Sequence, residues 1–171
     1  MPKKIKNIFY ILILISFSLN SIPVFSAASG GSDASSGGNN TEKNEVQLYK
    51  EGKKLVYRAK KLEKKNKNEK AKKLYLKAYN KFEKAYSKNK KSADILNYLG
   101  FTLRKTGDLV KAEKYYLEGL KLDASHLGIN EYLGELYLET NRINLAKKRL
   151  DVLNGCDCEE YTELKELIEN K

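Results

Sequence analysis

Residues 93–126 read ADILNYLGFTLRKTGDLVKAEKYYLEGLKLDASH, and residues 127–160 read LGINEYLGELYLETNRINLAKKRLDVLNGCDCEE. The two segments align without a gap. The matching positions, first segment before second, are Ile95 and Ile129, Tyr98-Leu99-Gly100 and Tyr132-Leu133-Gly134, Thr106 and Thr140, and Ala112 and Ala146. A unit that recurs at a fixed period of this length is typical of a stacked repeat, in which neighbouring units bury each other's hydrophobic faces.

Each unit predicts two helices separated by a short turn. In the first unit, Thr106-Gly107-Asp108 interrupts the apolar spacing before a second helix over Val110–Leu122. In the second unit, the turn is Thr140-Asn141-Arg142. Gly107 and Asn141 occupy the same place, and these are the residue types that best tolerate the left-handed backbone at a helix end. The turn chemistry therefore supports the same division as the hydrophobic pattern.

Helical spacing continues on both sides of the two repeats. Upstream, residues 44–92 predict a divergent, basic first helix pair, with helices over Asn44–Lys64 and Glu69–Lys88. Downstream, residues 158–171 predict one more amphipathic helix. A repeat stack leaves its last hydrophobic surface open, so this final helix is expected to cover it.

The first 43 residues have the layout of an exported protein. Residues 1–26 combine a lysine-containing start, an apolar run of about a dozen residues and small residues at the end, which is typical of a signal peptide cleaved after Ser26 or Ala28. Residues 27–43 are Gly- and Ser-rich and predict a flexible linker. We therefore expect a periplasmic protein in a bacterial host. The alternative is a membrane tether through an uncleaved signal.

Charge divides the chain into two parts. The formal net charge of +11 arises because residues 46–92 contain 18 Lys or Arg against 4 Asp or Glu, whereas residues 93–171 contain 11 against 15. The lysines of residues 50–91 have two interpretations. They form either an ordinary solvated face or a contact with an anionic surface, such as lipid headgroups or cell-wall polymer.

Several of these residues resemble the tetratricopeptide repeat (TPR) family. The matches to its pattern are Leu96, Leu99, Gly100, Ala112, Tyr116 and Gly119 in the first repeat, and Leu133, Gly134, Tyr137 and Ala146 in the second. The ending, Cys-x-Cys-Glu-Glu-Tyr followed by Leu-Lys, is similar to that of small exported TPR proteins of proteobacteria. The resemblance implies an all-α fold, a short superhelix of stacked antiparallel helix hairpins with a C-terminal capping helix.

The first helix pair departs from the family spacing. Gly52 lies 26 residues before Ala78, whereas the equivalent glycine and alanine are 12 residues apart in the two full repeats. The interpretation is that both helices of the first pair are lengthened.

The resemblance also implies a binding surface, since TPR domains bind peptides or proteins on the concave face formed by the first helix of each pair. The positions that carry over are Asp94, Asn97, Phe101, Arg104, Lys105, Glu131, Glu135, Leu138 and Glu139. Phe101 is the expected apolar anchor, and the charged positions would orient the partner. The alternative is that Arg104 or Lys105 pairs with the glutamate stripe and that these side chains form solvated surface. The Lys and Asn arrangement of the carboxylate-clamp subfamily is absent.

Little in the sequence indicates catalysis. Cys156 and Cys158 either form a disulfide or remain as thiols, and His126 is expected at the turn between repeats rather than in a metal site. We expect no cofactor, no small-molecule substrate and no nucleic acid. The sequence therefore predicts a non-enzymatic exported scaffold that binds a protein or peptide, with attachment to an anionic surface as the alternative function.

Overall fold

The computed structural model describes residues 37–171, with side chains from residue 44 onward. This part of the chain is entirely helical, without strands, in seven α-helices. They are α1 (Gly37–Glu63), α2 (Asn68–Lys88), α3 (Ala93–Thr106), α4 (Leu109–Leu122), α5 (Leu127–Glu139), α6 (Ile143–Leu153) and α7 (Glu159–Glu169). Successive helices pack as antiparallel pairs, α1 with α2, α3 with α4 and α5 with α6. The predicted all-α stack of helix hairpins is confirmed.

The repeat helices begin and end where the sequence places polar caps and left-handed residues. The Ser92 hydroxyl accepts a hydrogen bond from the backbone of Ile95 at the start of α3, and the Asp108 carboxylate accepts one from Lys111 at the start of α4. Gly107 and Asn141 have φ values of 98° and 58°, so both adopt the left-handed conformation that the sequence predicts for this slot. Caps and turns thus define both hairpins locally.

The helix α1 begins at Gly37, so the last seven residues of the segment predicted as linker are helical here. Once a helix is nucleated, each further residue adds a backbone hydrogen bond at little extra cost. The predicted signal peptide and residues 27–36 of the linker lie outside the described residues. No helix of the described chain is both long and apolar enough to span a bilayer.

Both helices of the first pair are longer than those of the repeats. Gly52 packs against Phe82 in the way that Gly100 packs against Tyr116. Phe82 and Tyr116 are 34 residues apart, whereas Gly52 and Gly100 are 48 apart, so the first pair holds 14 additional residues. Shared between two helices, these extend the α1–α2 hairpin by roughly 10 Å. This matches the lengthened helices inferred from the glycine spacing.

Two groups of buried side chains form the interior. The first lies between α1, α2 and α3 and includes the fully buried Tyr75 and Phe82. The second is formed by the five helices from α3 to α7 and includes Tyr116 and Leu133. Leu164 of α7 is also fully buried and packs on α5, so α7 covers the end of the stack as the predicted capping helix.

The glycine within α3 allows α4 to approach closely, and its substitution gives a first prediction. A methyl group added at Gly100 would lie 2.5 Å from the Tyr116 ring, which is fully buried and cannot move aside. We expect Gly100→Ala to lower the free energy of unfolding by about 1–2 kcal/mol, because overpacking exceeds the gain in helix propensity. Urea denaturation measures this. Gly107→Asn is the control, and an equal loss in the two variants would contradict the prediction.

Candidate functional site

Three adjoining hollows lie along one face of the stack, on the side formed by α1, α3 and α5. We call this face the trough. An apolar hollow of about 230 Å³ lies between α1, α3 and α5, and a polar hollow of about 410 Å³ lies beside it. An acidic hollow of about 160 Å³ adjoins α7. Tyr132 of α5 lines all three hollows, so they form one continuous surface.

Aromatic rings form the walls of the apolar hollow. The rings of Phe101 and Tyr132 lie 4.8 Å apart, centre to centre. The Lys60 ammonium lies 5.0 Å from the centre of the Phe101 ring and contributes a cation–π contact at the rim. Tyr57 of α1 also lines this hollow and is 61 % exposed. The hollow therefore offers apolar ring surface that is accessible from solvent. Its remaining lining residues are Lys53, Val56 and Tyr98.

A buried acceptor without a partner belongs to one of the residues that line the polar hollow. Asn97 of α3 lines it and is only 7 % exposed, and its Oδ1 is buried without a hydrogen-bond partner among the described residues. Four carboxyl groups line the same hollow, together with Lys53 and His126. They belong to Asp94, Asp123, Glu131 and Glu160. The hollow is thus rich in hydrogen-bond acceptors and carries a negative balance of charge.

Glu131 is the most unusual ionisable group of the trough. Its residue surface is 3 % exposed. Burial raises the pKa of its carboxyl group to about 9, assisted by a hydrogen bond with Glu163 and by the negative charges of Glu135, Glu163 and Glu160. At neutral pH the carboxyl group is therefore protonated, and a bound cation would favour its ionised form.

The basic positions predicted for the groove are held by internal ion pairs. The side chain of Arg104 is only 5 % exposed and bonds to Glu135 at 2.7 Å and also to Glu139. Lys105 pairs with Glu63 of α1 at 2.9 Å. The ion pairs of Arg104 agree with the alternative interpretation of the sequence, in which this residue pairs with the glutamate stripe. That interpretation leaves the side chain in solvent, whereas the structure buries it. These pairs fix α3 against α5 and α1.

The structure divides the nine predicted groove residues into three groups. Asp94, Asn97, Phe101 and Glu131 line the hollows of the trough. Those held in ion pairs are Arg104, Lys105, Glu135 and Glu139. Leu138 is buried in the second core group. Phe101 is 3 % exposed, so it forms a wall of the hollow and does not project into solvent.

Several lining residues were not identified from the sequence. Tyr98 and Tyr132 fall at core spacing and were assigned to the core, yet their rings also face the hollows. Lys53, Tyr57 and Lys60 belong to α1, whose register was unclear because its helix is lengthened. Gly52 is the sequence feature that could have identified these lining residues, because it aligns α1 with the first helices of the repeats.

Among the described residues, the two cysteines and His126 do not belong to a group of side chains that could bind a metal ion. The structure joins Cys156 and Cys158 in a disulfide just before α7. His126 Nδ1 accepts a hydrogen bond from the backbone of Ile129 at the start of α5, in the turn between repeats where it was expected. Across residues 37–171, no three His, Cys, Asp or Glu side chains are grouped as a metal site would require.

Comparison with known proteins supports the fold. Residues 93–126 match the family model described as tetratricopeptide repeat. A comparison with curated proteins gives no match. Among solved structures, the chain is similar to the Arabidopsis OM64 TPR domain, with a TM-score of 0.59, 16 % identity and coverage of 77 % of this chain and 98 % of that one.

Two further solved structures of the same fold are similar to this chain, with slightly lower TM-scores. The Yersinia enterocolitica type III secretion translocator chaperone SycD has a TM-score of 0.53 and 17 % identity, covering 76 % of this chain and 91 % of that one. The CopN–Scc3 complex contains a chain with a TM-score of 0.52 and 24 % identity, covering 75 % and 68 %. Residues 93–126 therefore match a tetratricopeptide repeat, and the described chain has the TPR-like fold of stacked helix pairs.

Proposed function

We propose that this protein is a non-enzymatic, exported scaffold that binds a segment of a protein or peptide in the trough. The observation that carries the proposal is the apolar hollow at the centre of the trough, which leaves the Tyr57 ring largely exposed beside the Phe101 and Tyr132 rings. Accessible aromatic surface between packed helices is typical of sites that accept an apolar side chain.

The distribution of charge around the hollow gives the trough a direction. Lys53 and Lys60 belong to α1 and Glu159, Glu160 and Glu163 belong to α7, and Lys60 shares the acidic hollow with these glutamates. A segment with charges of both signs would therefore bind preferentially in one orientation. Of the solved structures with the same fold, one is named a translocator chaperone and another is a complex of two proteins, which agrees with a protein-binding role.

The experiment that tests the proposal starts from peptides selected by display against the purified protein. We expect Tyr57→Ala to weaken their binding at least about tenfold, since it removes an aromatic wall of the hollow. Fluorescence anisotropy measures the affinity. Tyr57 is largely exposed, so its removal should leave the fold intact, which circular dichroism checks.

The matched control is Leu117→Ala, which removes an exposed apolar side chain from α4, outside the trough. Its affinity for the selected peptides should equal that of the unmodified protein. If Tyr57→Ala and Leu117→Ala have the same effect, binding does not take place in the trough and the proposal is wrong.

A second function is favoured by the lengthened first hairpin. Its tip extends past the repeats and carries six exposed lysines that are absent from every ion pair of the described chain. They are Lys64, Lys65, Lys67, Lys70, Lys72 and Lys73. This arrangement suits an anionic surface such as lipid headgroups or cell-wall polymer. Salt separates the two functions, since attachment by lysines should be lost near about 0.5 M salt, whereas binding in the apolar hollow should persist.

A further inference from the structure

Lys60 of α1 stands where the apolar and acidic hollows of the trough meet. It lines both hollows, and the one other residue that the two hollows share is Tyr132. The Lys60 side chain is exposed, and it takes part in none of the ion pairs within residues 44–171. Its ammonium group is therefore not held by a carboxylate of the described chain.

The ammonium group of Lys60 lies on the aromatic surface that the proposed function uses. It is 5.0 Å from the centre of the Phe101 ring and 5.7 Å from the centre of the Tyr132 ring. It also donates a hydrogen bond to the Tyr132 hydroxyl oxygen, at 3.5 Å. An apolar side chain that enters the apolar hollow contacts the same two rings. Lys60 and such a side chain therefore compete for one surface.

The other cations near the apolar hollow do not compete in this way. Lys53 lies over the rings of Tyr49 and Tyr98, at 5.4 and 5.8 Å from their centres. Arg104 approaches the rings that Lys60 covers, but its side chain is 5 % exposed and is held in ion pairs. Lys60 is therefore the cation that both covers this pair of rings and is able to leave it.

The acidic hollow offers the ammonium group of Lys60 a second position. The other residues that line this hollow are Tyr132, Glu131, Glu159, Glu160 and Glu163. The last three belong to α7, and none of them is in an ion pair among the described side chains. A lysine has a flexible four-carbon stem, so its ammonium group moves between neighbouring positions while the backbone stays in place.

The two positions of Lys60 are expected to be close in energy. A cation over an exposed ring and an ion pair between exposed side chains each change an equilibrium constant by only about two- to fivefold. The loss of one contact is therefore offset by the gain of the other. A partner that binds the ring surface shifts such a balanced pair of states readily.

We propose that Lys60 is a gate residue of the apolar hollow. Without a partner, its ammonium group covers the rings of Phe101 and Tyr132. When an apolar side chain of the bound segment takes this surface, Lys60 moves into the acidic hollow and pairs with the glutamates of α7. This ion pair joins α1 to α7 beside the segment. The inference rests on the proposed function, because it describes how access to that same site is regulated.

The movement of Lys60 is tested by NMR with isobutanol, which stands for a leucine side chain and has neither charge nor ring current. Ring currents shift the Lys60 ε-methylene protons upfield while these protons lie near the two rings. We expect this shift to decrease saturably with isobutanol and with the display-selected peptides, whereas the ε-methylene protons of Lys64 stay unchanged. The inference is overturned if the Lys60 protons keep their shift with every probe.

Variants test whether the glutamates of α7 receive the ammonium group. Combining Glu159→Gln, Glu160→Gln and Glu163→Gln gives a triple variant, which we expect to bind isobutanol about two- to threefold more weakly, because the displaced ammonium group finds no ion pair. Adding Lys60→Ala to the triple variant should strengthen binding about threefold, since no cation has to leave the rings. In a Lys60→Ala background, the three glutamine substitutions should have no effect.

Lys64→Ala is the matched control for Lys60→Ala. Lys64 is exposed on the same helix and lines none of the three hollows of the trough. In the triple variant, Lys64→Ala should leave the affinity for isobutanol unchanged. Isobutanol carries no charge, so the glutamates do not act on it by a direct ion pair. If the glutamine substitutions weaken binding equally with lysine and with alanine at position 60, the inference fails.

Failure of the inference and failure of the proposed function are distinguishable. If the selected peptides depend on Tyr57 but the Lys60 protons keep their shift, the segment binds beside a stationary lysine, and the inference alone is wrong. If isobutanol displaces Lys60 but no peptide depends on Tyr57, the apolar hollow has its gate residue, and the proposed function is wrong.

Discussion

Replacing Arg104 with alanine is expected to lower the free energy of unfolding by about 3–5 kcal/mol. The Arg104 side chain is buried between α3 and α5 and bonds to Glu135 and Glu139. Its removal leaves Glu135, which is only 20 % exposed, without its cation. It also opens a space beside the buried hydroxyl of Tyr116, which has no hydrogen-bond partner in the described chain. Denaturation in urea measures the loss.

The control for this prediction is Arg142→Ala. Arg142 also forms a two-bond pair, with Glu113 at 2.8 and 2.9 Å, but its side chain is 36 % exposed. Exposed pairs contribute little, so we expect a loss under about 1 kcal/mol. Arg104→Met tests the cause, because a well-packed apolar chain should restore part of the stability. Equal losses in the two alanine variants would contradict burial as the cause.

Replacing Glu131 with glutamine is expected to stabilise the protein at alkaline pH. The folded-state pKa of Glu131 is raised from 4.5 to about 9, so folding favours its protonated form. Its contribution to stability is fully present below about pH 4.5 and is lost as the pH rises toward 9. Glutamine does not ionise. We therefore expect the free energy of unfolding of Glu131→Gln to exceed that of the unmodified protein by about 4–5 kcal/mol near pH 8 and by under about 1 kcal/mol near pH 5.

Burial is the main cause of the raised pKa of Glu131, and nearby negative charges add to it. Glu135 lies on the same helix, and Glu160 and Glu163 lie on α7. Lys53 and Lys60 face the hollows from α1, and Asp94 and His126 complete the polar hollow from α3 and the turn before α5. Urea denaturation at pH 5 and pH 8 measures the difference. Glu166→Gln should have the same stability as the unmodified protein at each pH. The prediction is contradicted if the Glu131→Gln variant and the unmodified protein are equally stable at both pH values.

The sequence predicts the fold well because its signals are local. The 34-residue period places each hairpin, and the turn residues Gly107 and Asn141 mark the same helix end independently. Apolar spacing alone would leave the boundaries uncertain, but polar caps at Ser92 and Asp108 fix two helix starts. In the first pair, the same period holds between Phe82 and Tyr116 but fails for the glycines, because additional turns were inserted into both helices.

The candidate site is harder to predict because it depends on contacts between distant segments. Phe101 and Glu131 occupy partner-facing positions of the repeat, yet α1 covers one and α7 lies beside the other, so each is 3 % exposed. Tyr132 appears in the sequence as a core residue, although its ring lines three hollows. Arg104 is buried because it pairs with Glu135 and Glu139 of α5, and no local sequence pattern indicates such burial.

The central claim is that a partner lies in the trough, and photo-cross-linking tests it most directly. A benzoylphenylalanine is placed at position 57, or at position 117 on α4, in the protein produced by its own cells. Under ultraviolet light, we expect a discrete covalent adduct at position 57 that is absent at position 117. The same adducts at both positions, or none at position 57, would contradict it.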